Sequence, residues 1–422
     1  MLQEFARHLR SYLTEEDISL LLKSLEKKRY QGLLLNEKKM SKQKILDIYP
    51  SLVPHPIIKN GFIYDPDLIS PGKSYLFNAG VYYIQDLSAM LVAYLLENGE
   101  DEIVVDLCAA PGGKTVQYAL NNPNSLIIAN DLSGVRAKTL AQNTERFGLD
   151  HVIITNHEAG DLLSKSNFNF DKIILDAPCS GSGMFRKSEE MSADWSINKV
   201  LKYQEIQKDL IVRAYQSLAP GGTLIYSTCS FSYEEDEAVV LHLLTTSDAV
   251  VVPIKNDPTF YMSKDVPGAI HLFPHLYEGD GHFICRLQRP GKKQPRQLKG
   301  AKLTRFGQYE LPLDIMQHGQ HYFGLKYSVK TPFNTLRHGV FLGDVVKGIT
   351  SYNHHLALYL SPSFASPLNQ EEKEKYLRGE TFINHQLKDG YSIVKFDNVN
   401  LGFVKTSQHQ AKNHYPKGLR FR

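Results

Sequence analysis

The segment DLCAAPGGKT, Asp106 to Thr115, ends like a phosphate-binding loop. Such a loop needs a glycine five residues before its Gly-Lys-Thr triplet, so that the backbone can wrap a triphosphate. Here that position is Cys108. The segment is not G-x-G-x-x-G either, which makes a dinucleotide pyrophosphate a poor fit. A turn of small residues, Ala109-Ala110-Pro111-Gly112-Gly113 before Lys114, preceded by an acid, suits a cationic and phosphate-free nucleoside such as S-adenosyl-L-methionine.

Two further segments carry thiols. Cys179 lies in DAPCSGSG and Cys229 in STCS, and each follows an apolar run. If those runs are neighbouring strands, about 4.8 Å apart, both thiols emerge at one ligand-binding edge. Carbon 5 of a pyrimidine is too weak a nucleophile to take a methyl group from a sulfonium unaided. A thiolate adding to carbon 6 turns the ring into an enamine, and carbon 5 becomes reactive. The carbon-5 proton and the thiol must then leave, and a second thiol can assist that release. A carboxyl group at Asp176, near ring nitrogen 3 and the exocyclic amine, would stabilise the adduct.

These residues need a scaffold that brings strand ends together. Between residues 76 and 290 apolar runs alternate with helical segments, the pattern of a doubly wound α/β sheet. The expected strands are 102–106, 125–131, 151–156, 171–176, 222–228, 249–254 and 281–288, with helices at 133–147, 198–218 and 233–246. Gly221-Gly222 after Pro220 is expected to end one helix and start the next strand. Acids then fall at or just past four strand ends: Asp106, Asp131 at the distance where an acid reaches a ribose hydroxyl, Asp161 near the adenine edge, and Asp176.

The rest of the chain divides around that core. Residues 1–75 form a small N-terminal module that opens with helical periodicity at Phe5, Leu9, Tyr12 and Leu13. Residues 291–302, rich in Pro, Gly and Lys, read as a linker. An intermediate segment at 303–345 precedes a β-rich module at 346–422 with short strands LALYL, YSIVKF and LGFVK. Residues 291–422 hold 20 Lys and Arg against 9 Asp and Glu, a surplus of +11, while the preceding 290 residues carry −8. The tail therefore has the electrostatic character of a polyanion-binding module, with nucleic acid as the expected partner.

Four cysteines without C-x-x-C spacing argue against zinc and against a disulfide framework, so no metal is expected. The charged N-terminus MLQEFARHLRSYL is unlike a signal peptide, and no run reaches about 18 apolar residues. A cytoplasmic protein with no membrane partner is the expectation.

In this order and spacing, DLCAAPGGKT, DAPCSGSG and STCS resemble the NOL1/NOP2/Sun family of RNA cytosine-5 methyltransferases. GFIYDPDLISPGKSYLFNAGVYYIQDLSAM and the terminal NHYPKGLRFR are similar to its small-subunit ribosomal RNA methyltransferase F subgroup, so that the likeness covers nearly the whole chain. The resemblance implies a Rossmann-like class I methyltransferase sheet, a small N-terminal α/β module that binds RNA and a C-terminal PUA-like RNA-binding domain. It implies Cys229 as the nucleophile and Cys179 as the cysteine that aids product release. Cys108 to Lys114, Asp131, Asp161 and Asp176 match the cofactor contacts. Where relatives often have Gly-Leu-Arg-Val-Asn, this chain has Gly32-Leu33-Leu34-Leu35-Asn36, which removes an arginine from that position. The same chemistry on tRNA, or a non-catalytic role in ribosome assembly, are the alternative readings.

Overall fold

The computed structural model describes residues 2–187 and 192–421. Its first sheet has four antiparallel strands, β1 (Gln31–Leu35), β2 (Val53–Pro54), β3 (Gly61–Tyr64) and β4 (Tyr82–Gln85), in the order β2-β3-β1-β4. Because β4 pairs with β1 in full register, this sheet extends past residue 75. Leu34 of β1, at the position where the resemblance implies an arginine, is fully buried and part of the core. The two N-terminal helices, Leu2–Leu9 and Glu15–Leu25, pack Phe5, Leu9 and Leu21 against Phe185, Trp195, Phe231 and Phe273.

Uninterrupted apolar runs require cover on both faces of a sheet. The central sheet supplies that setting with β5 (Ile103–Asp106), β6 (Leu126–Asn130), β7 (Val152–Thr155), β8 (Phe170–Asp176) and β9 (Leu218–Thr228). These five are parallel and run in the order β9-β8-β5-β6-β7. Short strands β10 (Val250–Val251), β11 (Tyr261–Met262) and β12 (Ile270–His271), and the longer β13 (Phe283–Gln288), complete one edge, with β13 antiparallel to β9. Val105, Ile128, Ile153 and Ile173 face one core with Leu210, Ile211 and Val240. Val104, Ile127, Val152 and Ile174 face the other, under Met90, Leu91 and Val116. Strand order reverses between β5 and β8, which opens a crevice at their carboxyl ends.

Three expectations change on folding. LALYL is a helix, His354–Tyr359, not a strand: Asn353 caps its first turn, and Leu356 and Ala357 pack on Leu342 and Phe403 while Leu358 faces Leu76 and Val81. Gly221 lies inside β9, at φ +76°, because the preceding helix ends at Gln216 and the chain re-enters the sheet at Leu218. The stretch 291–302 is bound to the sheet, since Lys293 pairs with Glu102 and Arg296 lies 3.1 Å from Asp171.

Beyond that stretch the chain wraps the methyltransferase core. Leu325, Tyr327 and Phe333 join the core on one face of the central sheet, and Arg337–His338 pairs with β7 as its last strand. A four-stranded antiparallel sheet from Asp314 to Tyr352 crosses residue 345, and a five-stranded sheet follows within 365–413.

Candidate active site

The turn after β5 is built by backbone bonds. The Ala109 N–H donates to Asn130 O at 2.7 Å, tying the loop to the end of β6, and the Ala110 N–H donates to Asp131 Oδ2 at 3.3 Å. Gly112 has φ +112°, the left-handed region, and a Cβ there would come 2.9 Å from Leu140. A helix then starts at Gly113, so the turn directs a positive helix end toward the crevice. Pro111 O accepts from Asn143 at 2.7 Å, which anchors the outer side of the turn.

Leu107 and Cys108 from this turn line a cavity of about 940 Å³ together with Asp131, Glu158, Asp176, Pro178, Cys179, Ile206 and Cys229. Asp131 is nearly buried, accepts the Ser133 N–H at 2.9 Å, and lies 3.4 Å from Arg136. Asp106 sits behind the turn with Oδ2 accepting from Thr115 at 2.6 Å and Oδ1 without a partner. Burial pushes the Asp106 carboxyl up to about 7. Cys108 is also pushed up by burial, which keeps it a thiol.

Asp161 is placed elsewhere. It falls one turn into the helix Ala159–Lys165, where its side chain is 62% exposed and 3.6 Å from Lys165. Glu158, the N-cap of that helix, lines the cavity in its stead while accepting the Gly160 and Asp161 N–H groups at 2.9 and 2.8 Å. Position was the missed signal: Glu158 lies three residues past Thr155, the end of β7, and Asp161 six.

At the end of β8 the register sets Asp176 opposite Ser227 of β9. Lys114 Nζ donates to Asp176 Oδ2 and Ser227 Oγ to Oδ1, both at 2.7 Å. Burial works against the Asp176 charge, but Lys114, His282 and the two hydrogen bonds outweigh it and hold its pKa below the usual range. Three residues on, Cys179 Sγ lies 3.3 Å from Cys229 Sγ. Neighbouring parallel strands thus deliver two sulfurs and one ionised carboxylate to a single edge of the cavity.

His282 was not among the expected site residues. It immediately precedes Phe283, which pairs with Thr228, and so stands beside the strand end that carries Cys229. Ser88 Oγ donates its one proton to Asp86, so at 2.8 Å from His282 Nδ1 it accepts, and Nε2 is left as the acceptor nitrogen. Burial, then the nearby Lys114 charge, push His282 down to about 4. No motif announces a histidine on a returning antiparallel strand.

Among the described residues, Asp236, Glu237 and His271 are the group with metal-ligand spacing, their ligand atoms within 4.8 Å of one another. Glu237 Oε1 accepts from His271 at 2.7 Å and from Ser263 at 2.8 Å, and Asp236 Oδ1 accepts from Thr228 Oγ1 at 2.5 Å, while Asp236 Oδ2, Glu237 Oε2 and His271 Nδ1 are buried without a partner. No helix among the described residues is long and apolar enough to cross a membrane.

Three family models match parts of the chain: the N-terminal domain of 16S rRNA methyltransferase RsmF over residues 1–87, 16S rRNA methyltransferase RsmB/F over 93–288, and the methyltransferase RsmF PUA domain over 364–421. Ribosomal RNA small subunit methyltransferase F of Klebsiella pneumoniae (strain 342) is 30% identical over 403 residues, covering 87% of this chain and 84% of its own. The protein of the same name from Shewanella frigidimarina is 30% identical over 448 residues, covering 92% and 91%. Among solved structures, a methyltransferase homolog protein from Pyrococcus horikoshii is 29% identical with a TM-score of 0.58, over 68% of this chain and 94% of that one. NSun6 from the same organism, solved with SFG, shares the fold at 21% identity and a TM-score of 0.61, over 68% and 98%. With the cavity and both of its paired cysteines carried on the segment matched at 93–288 and the flanking modules matched as well, the chain belongs to the RsmB/F family of 16S rRNA methyltransferases.

Proposed function

We infer that the protein methylates carbon 5 of cytidine in small-subunit ribosomal RNA, with S-adenosyl-L-methionine as the donor and a covalent Cys229 adduct as the route. The observation that carries this reading is the 3.3 Å contact between Cys179 and Cys229 beside ionised Asp176 at the mouth of the crevice. The cavity suits the donor: Asp131 and Glu158 offer carboxylates to ribose and adenine, and Leu107, Pro178 and Ile206 offer apolar walls. When bound, S-adenosyl-L-methionine supplies an electrophilic methyl group.

The protein's own groups do the rest. Cys229 adds to carbon 6 of a cytosine held out of its stack, and carbon 5 gains the electron density needed for methyl transfer. Asp176, held by Lys114 and Ser227, accepts from the exocyclic amine and orients the base. Cys179, in contact with Cys229, serves the elimination that frees the product.

RNA docking falls to the N-terminal module and to the basic C-terminal part, whose surplus charge suits a phosphate backbone. The four cysteines are free, and a thiol mechanism calls for a reducing compartment, the cytoplasm.

The two cysteines fail differently under this mechanism. Cys229→Ala neither methylates nor forms an adduct, whereas Cys179→Ala accumulates a protein–RNA complex that survives denaturing electrophoresis. Bisulfite sequencing of total RNA from a strain lacking the gene identifies the target, and loss of a tRNA site with intact small-subunit rRNA would redirect the substrate assignment.

A further inference from the structure

Behind the two sulfurs lies a carboxylate that the mechanism above does not use. Glu235 is fully buried. Its Oε1 accepts from the Ser180 N–H at 2.7 Å and from Gln207 Nε2 at 3.2 Å. Its Oε2 accepts from Ser230 Oγ at 2.6 Å and from Ser180 Oγ. Ser180 follows Cys179 and Ser230 follows Cys229, so one carboxylate grips the chain immediately after each cysteine. Gln207 extends the grip by donating to Pro178 O at 2.8 Å, one residue before Cys179. Glu235 is itself fixed, because Tyr226 Oη donates to its carbonyl at 2.6 Å.

We propose that Glu235 is the positioning residue of the thiol pair: it clamps both cysteine loops at contact distance, and its charge keeps the pair's shared proton on Cys179, leaving Cys229 as the thiolate. This rests on the reading of Cys229 as nucleophile. The two sulfurs sit in unlike fields. The hydrogen bond to Cys229, burial, the Cys229 charge and then the Glu235 and Asp176 charges all push Cys179 up. Cys229 in turn is within electrostatic reach of the Lys114 ammonium. Burial raises the Glu235 pKa and its hydrogen bonds from Ser180, Ser230 and Gln207 pull it back, so that above this raised pKa a proton between the sulfurs is drawn toward the Glu235 side and negative charge toward the Lys114 side.

The proton count closes over a turnover. Attack forms the Cys229 S–C6 bond with the thiolate's own electron pair and requires no proton transfer. At release the C6–S bond breaks, the Cys179 proton passes to the departing sulfur, and the Cys179 thiolate so formed takes the carbon-5 proton. One proton then leaves for solvent, and the pair returns to one thiol and one thiolate.

Substitutions separate the clamp from the charge. Glu235→Gln retains an oxygen for the two N–H donors, and its amide meets two serine hydroxyls that can turn to accept, so the geometry persists without the charge. Iodoacetamide labelling of the full-length protein, read residue by residue by mass spectrometry, reports which sulfur is the thiolate. In the parent Cys229 is labelled first. In Glu235→Gln we expect Cys179 to compete, the acid limb of the kcat profile against pH to move, and kcat to fall about tenfold, the scale of one lost charge-assisted hydrogen bond. KM for S-adenosyl-L-methionine stays within about twofold, since the cofactor carboxylates lie on other strands. Ser230→Ala, which removes one arm and leaves the charge, lowers kcat without moving the pH profile and serves where Glu235→Gln does not fold. Labelling order and pH profile unchanged in Glu235→Gln, with Cys229→Ala inactive, overturn the charge role, and a parental kcat in Ser230→Ala overturns the clamp. Activity in Cys229→Ala overturns the nucleophile assignment, and the clamp with it.

Discussion

The rim of the central sheet has two halves built on different physics. On the β5–β7 side, the groups assigned to the donor under the proposed function are held by backbone: Ala109 and Ala110 N–H groups pin the turn, and Asp131 and Glu158 are fixed by N–H groups at helix starts. On the β8–β9–β13 side, the reactive groups are held by other side chains: Lys114 and Ser227 on Asp176, Glu235 behind the two cysteines, Ser88 on His282. A backbone cradle depends on small residues at set positions and tolerates varied neighbours. A side-chain network fails when one member changes, because each buried group loses its partner. The donor half should therefore respond to substitution in small, separable steps, and the thiol half in large, coupled ones.

The largest contrast comes from Cys229→Ala, which should lower methylation by roughly 10⁴-fold or more, the scale of losing a covalent nucleophile. Calorimetry should find its affinity for S-adenosyl-L-methionine within about twofold of the parent. A parallel loss of cofactor binding would show that the halves are not independent.

Protonation separates the halves next, with opposite signs. Asp106, on the donor side, has its folded pKa raised to about 7, so its contribution to stability is complete below its unfolded pKa near 4 and is lost as pH rises through 7. His282, on the thiol side, is depressed to about 4, so its contribution is complete above about 6.5 and is lost as pH falls through 4. Asp106→Asn should therefore stabilise the cofactor-free protein above pH 7 by up to roughly 4 kcal/mol and be neutral below pH 4. His282→Gln should flatten the stability loss between pH 6.5 and 4 by up to about 3 kcal/mol. Denaturation followed through the fluorescence of Trp195, the single and buried tryptophan, reads both.

Asp131→Ala removes an acceptor for the ribose hydroxyls and should weaken cofactor binding about tenfold, while iodoacetamide labelling of Cys229 stays at the parental rate. The smallest effect sharpens the donor side itself. Asp161→Ala should bind the cofactor within about twofold of the parent, because its carboxylate is exposed and paired with Lys165, whereas Glu158→Ala should lose about fivefold or more. Calorimetry with the two variants side by side decides which acid serves the adenine.

How far the site could be read in advance follows the same division. Asp106, Asp131 and Asp176 are legible because apolar runs reveal strands, and the residue at a strand's end is at the ligand edge by topology. Asp161 misleads because a helix begins between it and its strand, and one turn of helix faces a side chain outward. Glu235 and His282 carry no motif. Glu235 reaches the cysteine loops through the turn after β9, and His282 acts on Asp176 from a returning antiparallel strand, where only the register of β13 on β9 sets it beside the Cys229 strand end.

The C-terminal part shows the limit most clearly. Its composition marks a linker and a basic module, yet Lys293, Arg296 and Phe333 bind the core of the methyltransferase sheet, and Arg337–His338 extends it. LALYL has an apolar content that suits either a strand or a buried helix, and the Asn353 cap with packing on two sides chooses the helix.

What the sequence alone determined is the local chemistry: which residues can bend into the turn at 106–115, which can ionise or attack, and which runs must be buried. These depend on covalent structure and on neighbours a few residues away. Tertiary structure decided everything that needs two distant segments at contact distance: the pairing of Cys179 with Cys229 across β8 and β9, the burial of Glu235 behind both, and the replacement of Asp161 by Glu158 at the cavity wall. Hydrogen bonds and Coulomb forces act over a few ångströms, so a group's role is set by what the fold brings against it, and that information lies in strand order and register.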